Sequence, residues 1–99
     1  EYKTPLVVTE NGVCFNDKLK SGHVHDENRI AFFKEYLQNL LRAKQDGVDI
    51  RGYFVWSLTD NFEWDKGYRP RFGLIYIDYQ NNLKRVMKDS GYWFMHFLK

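Results

Sequence analysis

Pro5-Leu6-Val7-Val8-Thr9-Glu10-Asn11-Gly12 and Ile50-Arg51-Gly52-Tyr53-Phe54-Val55-Trp56-Ser57-Leu58 bracket the stretch that decides the fold. The first holds a short continuous apolar run, Leu6 to Val8, of the kind found in strands covered on both faces. The second is rich in β-branched and aromatic residues and reads as a strand from Ile50 to Leu58. Between them Ile30, Phe33, Leu37, Leu40 and Leu41 recur at three- and four-residue steps, which predicts a helix with one apolar stripe. Asp26 or Asn28 stands where a cap is needed, Asp26 and Glu27 suit the positive end of the helix dipole, and Gly47 ends the helix in the left-handed conformation. Strand, helix and strand with so long a crossover make a βαβ unit with parallel strands.

Outward from that unit, residues 15–25 are polar and read as a loop, and Thr59 to Arg71 is a polar and aromatic stretch. Phe72 to Tyr79 alternates, turns at Gln80-Asn81-Asn82 and returns as a hairpin through Leu83 to Val86. Asp89 or Ser90 caps a last helix through Phe97, apolar nearly all round and therefore expected to be buried. Two parallel strands leave two edges and one sheet face bare, so their neighbours must come from elsewhere. Strand–helix units of this kind build the eightfold β/α barrel, which takes roughly 250 residues. Residues 1–99 thus read as α/β, the C-terminal quarter of a (β/α)8 TIM barrel, part of a single domain and incomplete without an N-terminal portion. A start at Glu1 rather than Met, directly ahead of a strand, agrees with a piece of something larger.

Composition narrows the function. With 43% apolar and 18% aromatic residues the chain is no disordered linker. Fifteen basic residues against thirteen acidic ones give +2, too mild to call for nucleic acid or an anionic membrane as partner. No apolar run approaches the roughly 20 residues that span a bilayer. Cys14 stands alone and no signal-peptide pattern opens the chain, so the expected location is cytoplasmic. His23 and His25 with Asp26 hint at a metal, but no second ligand cluster supports one and a solvated loop is the plainer account. No metal and no cofactor are expected. Arg69 and Arg71 around Pro70 could hold a phosphate, with a loop salt bridge the plainer account, and Met95 and His96 read as helix packing.

Glu10 is the first residue that could carry chemistry, because it follows a buried strand directly, where parallel α/β folds hold their ligands. A carboxylate that merely caps a loop or pairs with an arginine is the blander reading of that position. The segment Trp56 to Trp64 leaves the second strand at the same end and combines Trp56, Asp60, Asn61, Glu63 and Trp64. Carboxylate and amide groups beside indole faces suit a sugar, whose CH groups lie on the ring while its hydroxyls bond the polar side chains. Any one of these tryptophans is more simply a core residue; together on one rim they favour a carbohydrate site.

Four motifs in order, Leu6-Val7-Val8-Thr9-Glu10-Asn11-Gly12, Gly52 to Leu58, Asp60-Asn61-Phe62-Glu63-Trp64 and Arg71-Phe72-Gly73-Leu74, resemble the C-terminal signature of family 1 glycoside hydrolases, the β-glucosidases and their relatives. The similarity runs over essentially the whole chain, including Lys88-Asp89-Ser90 at the last helix. It implies a retaining mechanism on a (β/α)8 barrel, with Glu10 as the nucleophile. Trp56 would be a stacking floor, Glu63 would bond the 4- and 6-hydroxyls, Trp64 the 3-hydroxyl, and Phe72 would line the region near O6. A retaining enzyme needs a second carboxyl about 5–5.5 Å from the nucleophile. The family carries it in an Asn-Glu-Pro motif that this sequence lacks, as it lacks the Gln and His that hold the glycone. The implied whole is a β-glucosidase acting on β-glucosides or oligosaccharides, to which this chain, inactive alone, adds the nucleophile and must be joined by a complementary N-terminal barrel segment. The alternatives are a 6-phospho-β-glycosidase, in which a Ser replaces Glu63 with a Lys and a Tyr downstream, and a non-catalytic module that binds sugar or a partner chain.

Overall fold

The computed structural model describes residues 3–99. Strand β1 (Leu6–Asn11) pairs in parallel with β2 (Ile50–Val55), and helix α1 (Glu27–Gln45) makes the crossover between them. Val8 lies opposite Tyr53 and Asn11 opposite Val55. A short 3₁₀ turn, Trp64–Lys66, precedes an antiparallel hairpin of β3 (Ile75–Asp78) and β4 (Lys84–Met87), and helix α2 (Asp89–Phe97) closes the chain. The expected βαβ unit, hairpin and final helix are all present. Among the described residues no helix is long and apolar enough to cross a membrane.

The α1 stripe explains the core. Phe33 and Leu37 are buried with Leu74, and Phe32, Leu40, Tyr53, Val55, Trp93 and Phe94 pack around them. Both helices therefore contribute to one cluster against the strands. The opposite side of β2 is bare, with Phe54 61% exposed. Leu6 and Val7 are exposed as well, although an apolar run of this kind was expected to be covered on both faces.

Four local expectations are corrected. β2 ends at Val55 and not at Leu58, because the backbone of Ser57 turns to other partners: its N–H donates to the Phe72 carbonyl (3.3 Å) and its carbonyl accepts from Leu74 (3.0 Å). Asp26 stands at the N-cap position of α1 but caps it with its main-chain carbonyl only. Its carboxylate accepts instead from the Ser90 N–H (2.8 Å), one of the orphan donors at the start of α2. Lys88, and not Asp89 or Ser90, occupies the N-cap position of α2. That helix is not enclosed: Tyr92, Met95 and Phe97 are exposed, although its other side meets α1 and β4. Gly47 does end α1 as expected, at φ +100°.

Candidate active site

Glu10 is the next-to-last residue of β1 and is exposed. Parallel pairing brings the ends of β1 and β2 to one place. There the Trp56 N–H donates to the Asn11 carbonyl (2.9 Å), and the Tyr53 hydroxyl donates to Asn11 Oδ1 (2.6 Å). Burial pushes the Tyr53 phenol up to about 12, so it remains a donor throughout the neutral range. Gly12 is required by contact. A methyl group there would lie 1.7 Å from the Trp56 carbonyl oxygen, which belongs to backbone and cannot swing aside. Gly12→Ala should therefore push the two strand ends apart and destabilise the fold by about 1–3 kcal/mol, read from urea or thermal unfolding. An unchanged midpoint would contradict the close approach.

Beyond Trp56 the chain runs beside residues 72–75, and this places Phe72 next to the loop that carries Glu63. Glu63 Oε1 accepts from Trp56 Nε1 (3.2 Å) and from Asn61 Nδ2 (2.8 Å). The Glu63 N–H donates to the Gly67 carbonyl (2.7 Å), which closes a tight loop. Trp64 in that loop has φ +46°, a left-handed conformation that costs a bulky residue about 1–3 kcal/mol, and its side chain stands 86% exposed. Glu63, Trp64 and Phe72 line one shallow groove with Cys14 and Pro70. Trp56, Glu63, Trp64 and Phe72 are thus brought together, and Glu10 emerges at the same end of the strand pair without touching them. Among the described residues no cluster of His, Cys, Asp and Glu is arranged to hold a metal ion. His25 pairs instead with Asp89, and His96 and Met95 are exposed rather than packed.

Beneath the rim lies a network that sequence reasoning missed. Lys88 Nζ donates to Asp17 Oδ2 (2.5 Å) and to Asp60 Oδ1 (2.8 Å), and it is fully buried. Asp17 also pairs with Arg29 (2.8 Å), which pairs with Asp26 (2.6 Å), which in turn accepts from the Ser90 hydroxyl. Asp60 pairs with Arg71 (2.6 Å) and accepts from the N–H groups of Gly73 and Ile77. The Arg71 guanidinium lies over Tyr76, 4.0 Å from the ring centroid. Arg71 was expected in a loop salt bridge, and this is its partner. Three carboxylates meet three cations, so the cluster is neutral, and it ties the loops after β1 and β2 to the start of each helix. Asp60 is the residue immediately before Asn61, so the network fixes the base of the Glu63 loop. The only sequence signal was the recurrence of Asp60 and Lys88 within recognisable motifs, which says nothing of their mutual contact.

Residues 1–99 match the family model described as Glycosyl hydrolase family 1. The chain is 53% identical to a 1,4-beta-D-glucan glucohydrolase of Thermotoga neapolitana, over 100% of this chain and 22% of that protein. It is 54% identical to Beta-glucosidase 42 of Arabidopsis thaliana, over 96% of this chain and 20% of the other. Among solved structures it superposes on the beta-glucosidase from Thermotoga maritima in complex with isofagomine lactam with a TM-score of 0.92 and 48% identity, covering 95% of this chain and 21% of that one. The chain spans about a fifth of the length of these relatives.

Proposed function

This chain belongs to glycosyl hydrolase family 1, and on that premise we propose that it supplies the nucleophile and the glycone-binding rim of a retaining β-glycosidase acting on terminal β-D-glucosides. The observation that carries the proposal is the convergence of Trp56, Glu63, Trp64 and Phe72 beside the strand end that bears Glu10. Residues 1–99 form the C-terminal quarter of a (β/α)8 barrel and one part of its single domain. The exposed Phe54 face and the open strand edges meet a complementary N-terminal portion. That portion brings the acid/base carboxyl, since the sequence holds no Asn-Glu-Pro.

In this mechanism the Glu10 carboxylate attacks the anomeric carbon from the face opposite the leaving group, while the partner carboxyl protonates the departing oxygen. The glycosyl ester so formed is opened by water, which the partner, now a base, deprotonates. Trp56 gives the sugar ring an apolar face to lie on. Glu63 takes hydrogen bonds from hydroxyls and repels a phosphate dianion, which separates this reading from a 6-phospho-β-glycosidase. The same groove is lined by Lys66 as well as by Pro70 and Phe72, so the distinction rests on the Glu63 carboxylate.

The test is a comparison of plain and 6-phosphorylated aryl glucosides in the complete barrel. Glu63→Ser should lower glucoside kcat/KM by about tenfold to a hundredfold, the loss of one buried hydrogen-bond partner, roughly 1–3 kcal/mol. Preference of the unaltered protein for the 6-phosphoglucoside, or no change on Glu63→Ser, would contradict the assignment.

A further inference from the structure

Glu63 presents its two carboxylate oxygens unequally. Oε1 is held by two donors, Trp56 Nε1 at 3.2 Å and Asn61 Nδ2 at 2.8 Å, while Oε2 has no partner among the described residues. Asn61 has a second, longer contact at its other end. Its Oδ1 lies 3.4 Å from the Ser57 hydroxyl, which is shared with the Thr59 carbonyl at 2.8 Å. Ser57 is buried, and its backbone is bonded to Phe72 and Leu74. The residue before Asn61 is Asp60, anchored by Lys88, Arg71 and two backbone N–H groups. An amide suits this place for a chemical reason. It offers an acceptor towards a hydroxyl and a donor towards a carboxylate, whereas a carboxylate would oppose Glu63 and a hydrocarbon would bond neither.

We propose that Asn61 is a positioning residue that sets glucoside specificity: its amide tethers Oε1 of Glu63, so that the carboxylate meets the sugar hydroxyls at a fixed angle with Oε2 free. This rests on the reading of Glu63 as a hydroxyl-binding group. The tether matters because a carboxylate on a flexible stem loses rotamer freedom on binding, and a residue already held loses less. Asn61 itself need not touch the substrate. Through Glu63 it also ties the indole edge of Trp56, so the floor and the hydroxyl-binding wall of the pocket share one anchor.

The experiment uses the complete barrel carrying this sequence, with an aryl β-glucoside and its 6-deoxy analogue as substrates. Asn61→Asp keeps the shape and reverses the donor; Asn61→Ala removes the side chain. Both variants should raise KM and lower kcat/KM on the glucoside by about tenfold or more, with the loss at least about fivefold smaller on the 6-deoxy substrate, where Glu63 has one hydroxyl fewer to bond. Equal losses on both substrates would mean a merely structural role and would overturn the proposal, as would no loss on either. Glu63→Ala measured alongside separates the two levels. If it leaves glucoside turnover intact, the reading of Glu63 falls; if it is damaging while both Asn61 variants are not, the tether alone is wrong. Melting temperatures of the isosteric Asn61→Asp protein and its parent establish that the comparison is made on folded enzyme.

Discussion

Glu10→Gln, in the complete barrel, lowers kcat on an aryl β-glucoside by at least about a thousandfold and leaves substrate binding nearly intact. The amide has the shape of the carboxylate, so the pocket that recognises the sugar is undisturbed. What disappears is the nucleophile, an interaction made in the transition state and in the covalent intermediate, and such losses fall on kcat rather than on ground-state affinity. The strand position argues for the same result. Glu10 lies at the exposed end of β1 with its backbone neighbours pinned by Asn11, Trp56 and Tyr53, so a change of side chain has no packing consequence to confuse the measurement. A variant with near-normal kcat, or one whose loss is accompanied by an equal loss of thermal stability, would speak against a catalytic role.

The second large effect concerns stability. Lys88→Met should destabilise the protein by about 3–5 kcal/mol, because it leaves the buried carboxylates of Asp17 and Asp60 short of a cation they share. The methionine fills the volume of the lysine stem, so the loss measures charge and not a cavity. Asp17 and Asp60 keep Arg29 and Arg71 respectively, which limits the damage to one missing partner on each. Urea unfolding with an unchanged slope and a markedly lower midpoint is the expected result. A midpoint within the scatter of surface substitutions would show that the network adds little. A surface pair such as His25 and Asp89 provides the contrast, since His25→Gln should change stability by no more than about 1 kcal/mol.

Sequence reasoning reached the elements whose signals are local. The three- and four-residue spacing of Ile30, Phe33, Leu37 and Leu40 identified α1, Gly47 marked its end, and the polar break at residues 80–82 marked the hairpin turn. Trp56, Glu63 and Trp64 meet because they lie close in sequence on one exit from β2, whereas Phe72 joins them from a separate segment and was singled out only through the family resemblance. The failures have a common cause, which is long-range contact. Ser57 leaves the β2 ladder for residues 72–74, so a run of strand-forming residues does not stay in one strand. Asp26 carries the best helix-capping side chain in its neighbourhood yet spends it on α2, sixty-four positions away. Lys88 and Asp17 are seventy-one positions apart, and in isolation each reads as solvated surface. The exposure of Leu6, Phe54 and α2 has a different origin: apolar patterning registers a surface to be covered and not whether the cover lies within these residues.

Trapping the covalent intermediate tests the central claim most directly. In a 2-deoxy-2-fluoro-β-glucoside the fluorine slows both formation and hydrolysis of the glycosyl ester, and a good leaving group keeps formation the faster step, so the labelled protein accumulates. Incubated with the complete barrel and digested, it should yield one peptide heavier by a fluoroglucosyl group, with the modification on Glu10 inside Thr9-Glu10-Asn11-Gly12. The Glu10→Gln protein should remain unlabelled. A label on any other carboxylate would contradict Glu10 as the nucleophile, and turnover of the fluorosugar with no covalent species at all would contradict the retaining mechanism as well.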